Sequence, residues 1–452
     1  MRRTVLFTAT ATVLATVTAL VTPAGAVTAH VRSTPASWTP SIATSGTDGT
    51  VELVRQLVPC GNLMYAVGRF TKIKQGSTVY TRNNVFSFNA STGAMTSWNP
   101  NVTGTVVDSI ALSSTCSTAY LGGAFSAVGG TTARNIAAVS TSTGAVVSGF
   151  ARSASAEVNT LLMAGSHLLA GGYFTSVNGS TKRYLVSLDP TTGKDDGYVN
   201  IPISGTYQYT DQGGHPSSSN PTRVFGLELS PSRTKVLATG VFTSVGGKHR
   251  QQIFMLDLGA TSATVSNWYS SEFNQYCATA IPFYVRAAGW SPDGSKVYVA
   301  DTGFKPATGT GYKSSDPRAG LCDAVAAFSS SAVSTLGHLW INYAGCDSLY
   351  SVAADAGTVY AGGHERWANN PHGCDYAGAG AVAAPGMGGF SPTTGTLTFN
   401  PTRDRGDGAD DMVVTSAGLW IASDNDFGAN ACGKTASGSP ATGHAGICFL
   451  PY

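Results

Sequence analysis

The stretch Leu121-Gly122-Gly123-Ala124-Phe125-Ser126-Ala127-Val128-Gly129-Gly130 decides the fold, because near-copies of it return along the chain. A strand-like apolar run ends in Gly-Gly-x-Phe here and at Gly171-Gly172-Tyr173-Phe174, with shorter forms at Gly68-Arg69-Phe70 and Gly240-Val241-Phe242. Weaker copies stand at Thr302-Gly303-Phe304, Gly362-Gly363-His364-Glu365 and Ser423-Asp424-Asn425-Asp426. A second series interleaves with the first. It reads Trp38-Thr39-Pro40 and Trp98-Asn99-Pro100, then degenerate forms at Phe150, Tyr198, Trp268 and Trp340, and finally Phe399-Asn400-Pro401. Two matched series of seven, repeating every roughly 50 to 65 residues, mark a radial repeat rather than a solenoid or a sandwich.

One unit runs from Trp98 through strands at Val106–Ser113, Ala119–Phe125, Asn135–Ser140 and Val146–Phe150, joined by Gly-rich turns. Four short strands in about 50 residues make one propeller blade. The reading is an all-β, seven-bladed propeller of four-stranded antiparallel blades. The Trp38 segment precedes three complete strands, and no fourth strand follows the last unit. The N-terminal strand is therefore expected to close the last blade and leave no open sheet edge. Three insertions, Thr206–Pro221, Lys305–Gly320 and Arg366–Gly380, follow second or fourth strands and so open on one face. Loops enlarged on one face of an economical scaffold point to function there, although drift in permissive loops gives the same pattern.

The first residues read as a secretory signal peptide: Arg2-Arg3, an apolar stretch from Val5 to Val21, and a small-residue site ending at Ala26. This divides the chain into a leader, 1–26, and a single propeller domain, 27–452. Loss of the leader removes two of 27 basic residues and leaves 25 against 25 acidic ones. A net charge near zero gives no electrostatic case for nucleic acid. No later stretch is apolar for long enough to span a bilayer. The eight cysteines, Cys60, Cys116, Cys277, Cys322, Cys346, Cys374, Cys432 and Cys448, lack any C-x-x-C spacing. An even number in an exported chain predicts disulfides. Their places in the repeat predict sequential pairing.

Aligning the first strands of the units sets one side chain per blade near the channel mouth: Glu52, Asp108, Asn159, Phe225, Arg286, Tyr350 and Asp411. Carboxylates accept sugar hydroxyls and aromatic faces stack on pyranose rings. A solvated channel lining is the plainer alternative. A second candidate is His364, Glu365, Arg366 and Trp367, where Glu365 replaces the motif's Phe; a buried Glu–Arg pair holding the inserted loop is expected. His364 with His372 or Asp375 matches no familiar metal-ligand spacing. The acids Asp404, Asp407, Asp410, Asp411, Asp424 and Asp426, with Asn425, suit calcium in kind but not in spacing. No cofactor is expected, calcium being the one candidate. Nucleophile-elbow, Walker and His-Glu-x-x-His motifs are missing, so enzymatic activity rests only on carboxylates such as Glu52, Asp108 and Asp411.

The motif Gly-Gly-x-Phe-x-x-Val-x-Gly at Gly122–Gly130 and Gly171–Gly179 resembles the repeat of secreted bacterial β-propellers of the delta-60 or uncharacterised-repeat type. Trp367-Ala368-Asn369-Asn370-Pro371-His372-Gly373 and Asn400-Pro401-Thr402-Arg403-Asp404-Arg405-Gly406 resemble actinobacterial exported members. The resemblance covers nearly the whole mature chain and implies the fold, with little about activity. The expectation is a secreted, extracellular binding module, a monomer on its own. Its partner is another exported protein in a larger assembly or a cell-envelope polysaccharide. A glycosidase or lyase is the alternative.

Overall fold

The computed structural model describes residues 30–43, 51–207, 221–274, 277, 283–304, 307–308, 311–312, 321–401, 405, 408–424, 430–434, 440–442 and 444–452. The expected leader and most of the first two insertions lie outside these residues. Among the described residues the protein is all-β, built of many small antiparallel sheets, with a single 3-10 turn at Ser271–Phe273 and no α-helix. No helix among them is long and apolar enough to cross a membrane.

Seven of the sheets share one build. Each starts with an inner strand: Leu53–Cys60, Val102–Leu112, Val158–Ala164, Arg223–Leu229, Tyr284–Trp290, Leu349–Ala354 and Ala409–Thr415. The next strand returns antiparallel, and a third, with or without a fourth, lies outside it. Each inner strand packs on the inner strand of the following sheet, and the seventh packs on the first. A bridge from Leu53 to Asp424 also ties the first sheet to the seventh.

The two sequence series have separate physical jobs. The Trp-x-Pro series supplies wedges between sheets. Trp98 packs against Tyr65 of the first sheet and Ile110 of the second, and its indole N–H donates to the Ser140 carbonyl at 3.0 Å. Trp268, between the fourth and fifth sheets, and Trp340, between the fifth and sixth, do the same, donating to the carbonyls of Ser329 at 2.8 Å and Pro392 at 3.2 Å. Phe150, Tyr198 and Phe399 are buried in the corresponding seams. Truncating such an aromatic costs on the order of 3–5 kcal/mol. The wedge at the N-terminus, Trp38, lies 5.8 Å from Trp420 and 5.6 Å from Phe449, between the seventh sheet and the first. Around it, Arg32 N–H donates to the Pro451 carbonyl at 2.7 Å, and Ala36 N–H to Phe449 at 2.9 Å. The N-terminal segment thus lies along the final strand, Ile447–Pro451.

The Gly-Gly-x-Phe series shapes the inner strands. Its second glycine stands where no Cβ fits: a methyl on Gly123 falls 2.4 Å from the Val106 carbonyl oxygen, and one on Gly172 falls 2.3 Å from that of Glu157. The backbones close in there, and the inner strand opposite takes up one extra residue. The register skips between Val54 and Gln56, Val107 and Ser109, Val158 and Thr160, Val224 and Gly226, Val285 and Ala287, Leu349 and Ser351, and Ala409 and Asp411. Every inner strand therefore carries a bulge at an equivalent place. A left-handed Asn opens the third strand and braces this corner. Asn84 (φ 66°) and Asn135 (φ 64°) accept from the Phe70 and Phe125 N–H groups through Oδ1. Their amide nitrogens donate into the following sheet, to the Val102 and Ala154 carbonyls.

Four disulfides link Cys60–Cys116, Cys277–Cys322, Cys346–Cys374 and Cys432–Cys448, the sequential pairing expected from the repeat. They fit an oxidising, extracellular setting.

Candidate binding site at the bulge ring

The seven bulge residues are Arg55, Asp108, Asn159, Phe225, Arg286, Tyr350 and Asp410, and all seven line a cavity of about 860 Å³. An extra residue turns one more side chain to the inner face than strict alternation allows. The cavity runs along the inner strands to the turns at Pro231, Pro292 and Asp355.

Charge divides the site into two arcs. On the first, Arg55 bridges the neighbouring sheets: Nη1 donates to Asp410 Oδ1 at 2.7 Å, while Nε stands 3.8 Å from Asp108 Oδ1. The Asp410 charge raises the Arg55 pKa above its ordinary value. Asp108 is held well above the usual carboxylate range, first by burial and then by the adjacent Glu157 carboxyl, with which it shares a hydrogen bond. Burial and a neighbouring carboxyl both disfavour the charged form of Asp108. Asn159 Oδ1 is buried without a hydrogen bond from the described residues.

The second arc is a run of aromatic and guanidinium faces. The Arg223 guanidinium lies 4.4 Å from the Tyr173 ring centre and 3.8 Å from that of Phe225. Phe225 stacks on Tyr284 at 4.8 Å, the Tyr284 hydroxyl accepts from Arg286 Nη1 at 3.4 Å, and Arg286 lies 4.0 Å over Tyr350. Arg286 also comes within 3.8 Å of Asp410 and joins the two arcs. Stacked in this way the arginine planes are fixed by packing, which favours planar ligands. Behind the arc, Tyr207 and Phe283 stack at 4.7 Å, in the apolar cluster that holds Cys277 and Cys322.

Five of the seven residues expected at the mouth, Asp108, Asn159, Phe225, Arg286 and Tyr350, are bulge residues. Glu52 and Asp411 are not. Glu52 is buried beside the ring, and its Oε1 accepts from the Thr71 N–H and hydroxyl at 3.0 and 3.1 Å; Arg55, three residues on, holds the bulge. Asp411 follows the seventh bulge and still borders the cavity. Its Oδ2 accepts from the Leu57 N–H at 2.9 Å, and burial pushes its pKa up to about 6.

The second candidate group lies elsewhere and is built differently. Adjacent residues of extended backbone point to opposite sides, so Arg366 and Glu365 face apart. Arg366 forks onto Asp347, with Nε and Nη2 each at 2.8 Å, and also reaches Asp375 at 2.5 Å. Arg405 adds a further donor to Asp347 at 3.0 Å and a bond to the His364 carbonyl at 2.7 Å. Asp347 thus clamps the sixth sheet's insertion, with the Cys346–Cys374 disulfide alongside. Arg366 also stacks over Trp367 at 4.6 Å, and Glu365 is buried with its carbonyl accepting from Gly386 N–H. Of the acids weighed for calcium, Asp404, Asp407, Asn425 and Asp426 lie outside the described residues. Asp410 serves Arg55, and Asp424 accepts from the Gly408 N–H at 2.9 Å. Among the described residues no three His, Cys, Asp or Glu side chains gather as a metal requires.

Sequence reasoning missed Arg55, Glu157, Tyr173, Arg223 and Tyr284. The signal for Arg55 was present: the bulge residue is the one after the partner of the second glycine, Val54 opposite Gly68.

No protein-family model and no curated protein matches the chain. Among solved structures it is similar to the computationally designed Ika8 protein, with TM-score 0.44 and 10% identity over 91% of this chain and 98% of that one. It is also similar to a putative 6-phosphogluconolactonase from Bacteroides fragilis, with TM-score 0.42 and 13% identity over 84% of this chain and 89% of that one.

Proposed function

We propose that the protein is a secreted, seven-bladed β-propeller, closed by its N-terminal strand, that binds an extracellular saccharide in the cavity at its bulge ring. Seven inner strands in serial contact, with the first also against the seventh, support the blade count. The backbone bonds from Arg32 and Ala36 to the last strand support the closure. The observation that carries the binding reading is the gathering of two aromatic side chains, Phe225 and Tyr350, with charged and amide groups in the lining of one cavity. Stacking faces beside hydrogen-bonding groups are what a sugar ring uses. An exported protein partner instead calls for a broad apolar patch. The exposed large apolar side chains among the described residues are scattered: Val79 on the separate Thr78–Thr81 hairpin strand, Leu339 on the fourth strand of the fifth sheet with Val333 in the turn before it, and Tyr376 and Val382 in and just after the third insertion.

Calorimetry of residues 27–452, disulfides intact, against oligosaccharides found on a glycan array tests this. Phe225→Ala is expected to weaken binding by about tenfold or more. Binding of no glycan on the array, or full affinity in Phe225→Ala, refutes the reading.

One observation favours a second reading. Asp108, held well above the usual carboxylate range by burial and by the Glu157 carboxyl beside it, forms a carboxyl pair of the kind a glycosidase or lyase uses. Asp108→Asn then abolishes turnover of a bound glycan while leaving its affinity within a few-fold.

A further inference from the structure

We propose that the saccharide held in the bulge-ring cavity carries a free amine, whose ammonium group docks on Glu228. This deepens the saccharide reading and rests on it. Three residues beyond the bulge, six of the inner strands carry Val58, Ala111, Leu162, Gly289, Ala353 and Val413. The fourth sheet alone puts a carboxyl group there, Glu228, in the lining of the cavity. A charge in an apolar tier is costly unless something pairs with it. The other carboxyl groups of the lining are met by the protein. Asp410 and Asp108 face Arg55. Asp355 accepts from the Tyr360 and Tyr452 hydroxyls, each at 2.9 Å, and Asp411 from the Leu57 N–H. The Glu228 side chain has no hydrogen bond or ion pair among the described residues. Enclosure in the channel, and then the Asp411 charge, push its carboxyl up to about 8.

A cation beside Glu228 opposes both effects by favouring its charged form. The lining as a whole is acidic by formal count, with five carboxyl groups to two arginines. Among the described residues no three ligating side chains gather for a metal, so the cation is an organic one. A slot for a hydroxyl beside Glu228 points to an amine borne on a sugar. Gly226, two residues earlier, has no side chain, and opposite it stands Thr239, only 2% exposed, whose Oγ1 has no hydrogen bond among the described residues. A Cβ on Gly226 would come 2.9 Å from that oxygen, and both residues line the cavity. A ligand hydroxyl reaching into this gap satisfies the buried oxygen. In a hexosamine an amine stands next to such a hydroxyl and meets Glu228. Phe225, three residues before Glu228 and so about 10 Å away along the strand, offers its face to the adjoining sugar unit.

The test is calorimetry at low salt, below the pKa of the amine, with glucosamine trisaccharide, its fully N-acetylated form and spermidine. The expected result is the free-amine trisaccharide binding about tenfold or more tighter than the acetylated one, as a charge-assisted hydrogen bond implies. Glu228→Gln, which keeps the size of the side chain, is expected to bring the two to equal affinity without weakening the acetylated form. Glu228→Asp, which keeps the charge and withdraws it by one methylene, is expected to retain part of the preference, and matching melting curves exclude misfolding. Equal affinity of amine and acetamide for the unmodified protein overturns the inference while leaving the saccharide reading standing. So does an amine preference that survives Glu228→Gln. Spermidine binding as tightly as the trisaccharide overturns the sugar-borne amine, and binding of none of the three, nor of any arrayed glycan, removes both readings.

Discussion

Replacing Gly123 by Ala inserts a methyl group at the point where two strands touch. The new carbon falls 2.4 Å from the Val106 carbonyl oxygen, 2.8 Å from Val107 Cα and 3.0 Å from Asp108 N. All three obstacles are backbone, so no side-chain rotation relieves them. The inner strand has to move by about 1 Å in an interior packed at crystal density. Overpacking of this kind costs roughly 1–3 kcal/mol, and a clash with three backbone atoms belongs at the upper end, about 3 kcal/mol. With an unfolding entropy of about 2.1 cal/mol/K per residue, a chain of about 420 residues loses on the order of 3 °C in Tm for that cost. The bulge that aims Asp108 shifts with the strand, so glycan affinity is expected to fall as well. Gly149→Ala is the control, because a methyl there meets nothing within 4 Å. It is expected to be neutral or to stabilise by about 0.4–1 kcal/mol through the unfolded chain. Urea titration and calorimetric melting of both variants decide the matter. Equal stability and equal glycan affinity of the two variants would refute the link between the second glycine and the bulge.

Arg55→Ala leaves Asp108 and Asp410 without their shared cation; because the arginine side chain is one-third exposed, at 33%, the loss is expected at roughly 1–3 kcal/mol in urea titration. Asp411 gives a pH dependence of definite sign. Its folded pKa, about 6, lies above the unfolded value, so its contribution to stability is complete below about pH 4 and disappears as pH rises through 6. Asp411→Asn, which keeps an acceptor for Leu57, is expected to flatten that decline in denaturation curves taken at successive pH values. Replacing Cys346 and Cys374 together by Ser opens a link across 28 positions, and loop-closure entropy puts the loss at about 3–4 kcal/mol, read in the same titration under non-reducing conditions.

Much of the architecture was legible because each repeat residue has one physical task. Trp98 and Trp268 are wedges wherever the seam recurs, and Gly123 and Gly172 are small because a carbonyl lies against them. The ring of side chains was legible where the glycine pair was intact. Gly122-Gly123 and Gly171-Gly172 align Asp108 and Asn159 without ambiguity. In the seventh sheet the second-glycine position is taken by Ser423, opposite Ala409, and aligning Ser423 with the first glycine carried the assignment one residue too far, to Asp411. In the first sheet the lone Gly68 left the register open, and the carboxylate of Glu52 was a more conspicuous candidate than Arg55. Glu157, Arg223 and Tyr284 were not legible, since they precede the bulge and reach the cavity's neighbourhood only through contacts across sheets. The Asp347 clamp on Arg366 and Arg405 joins three separate segments, and no spacing along the chain announces it.

The pairing of Arg32 and Ala36 with Pro451 and Phe449 sets an order of events as well as a shape. The earliest-synthesised part of the described chain finds its partner only after roughly 400 further residues have been made. Until then Ile447–Pro451 is bonded on one side only, to Gly418–Ser423, and offers a bare edge to any other chain in the same condition. Refolding at high concentration should therefore exchange N-terminal segments between molecules and yield dimers that dilute refolding does not. Loop-closure entropy grows only with the logarithm of length, so the handicap is one of time and encounter rather than of final stability.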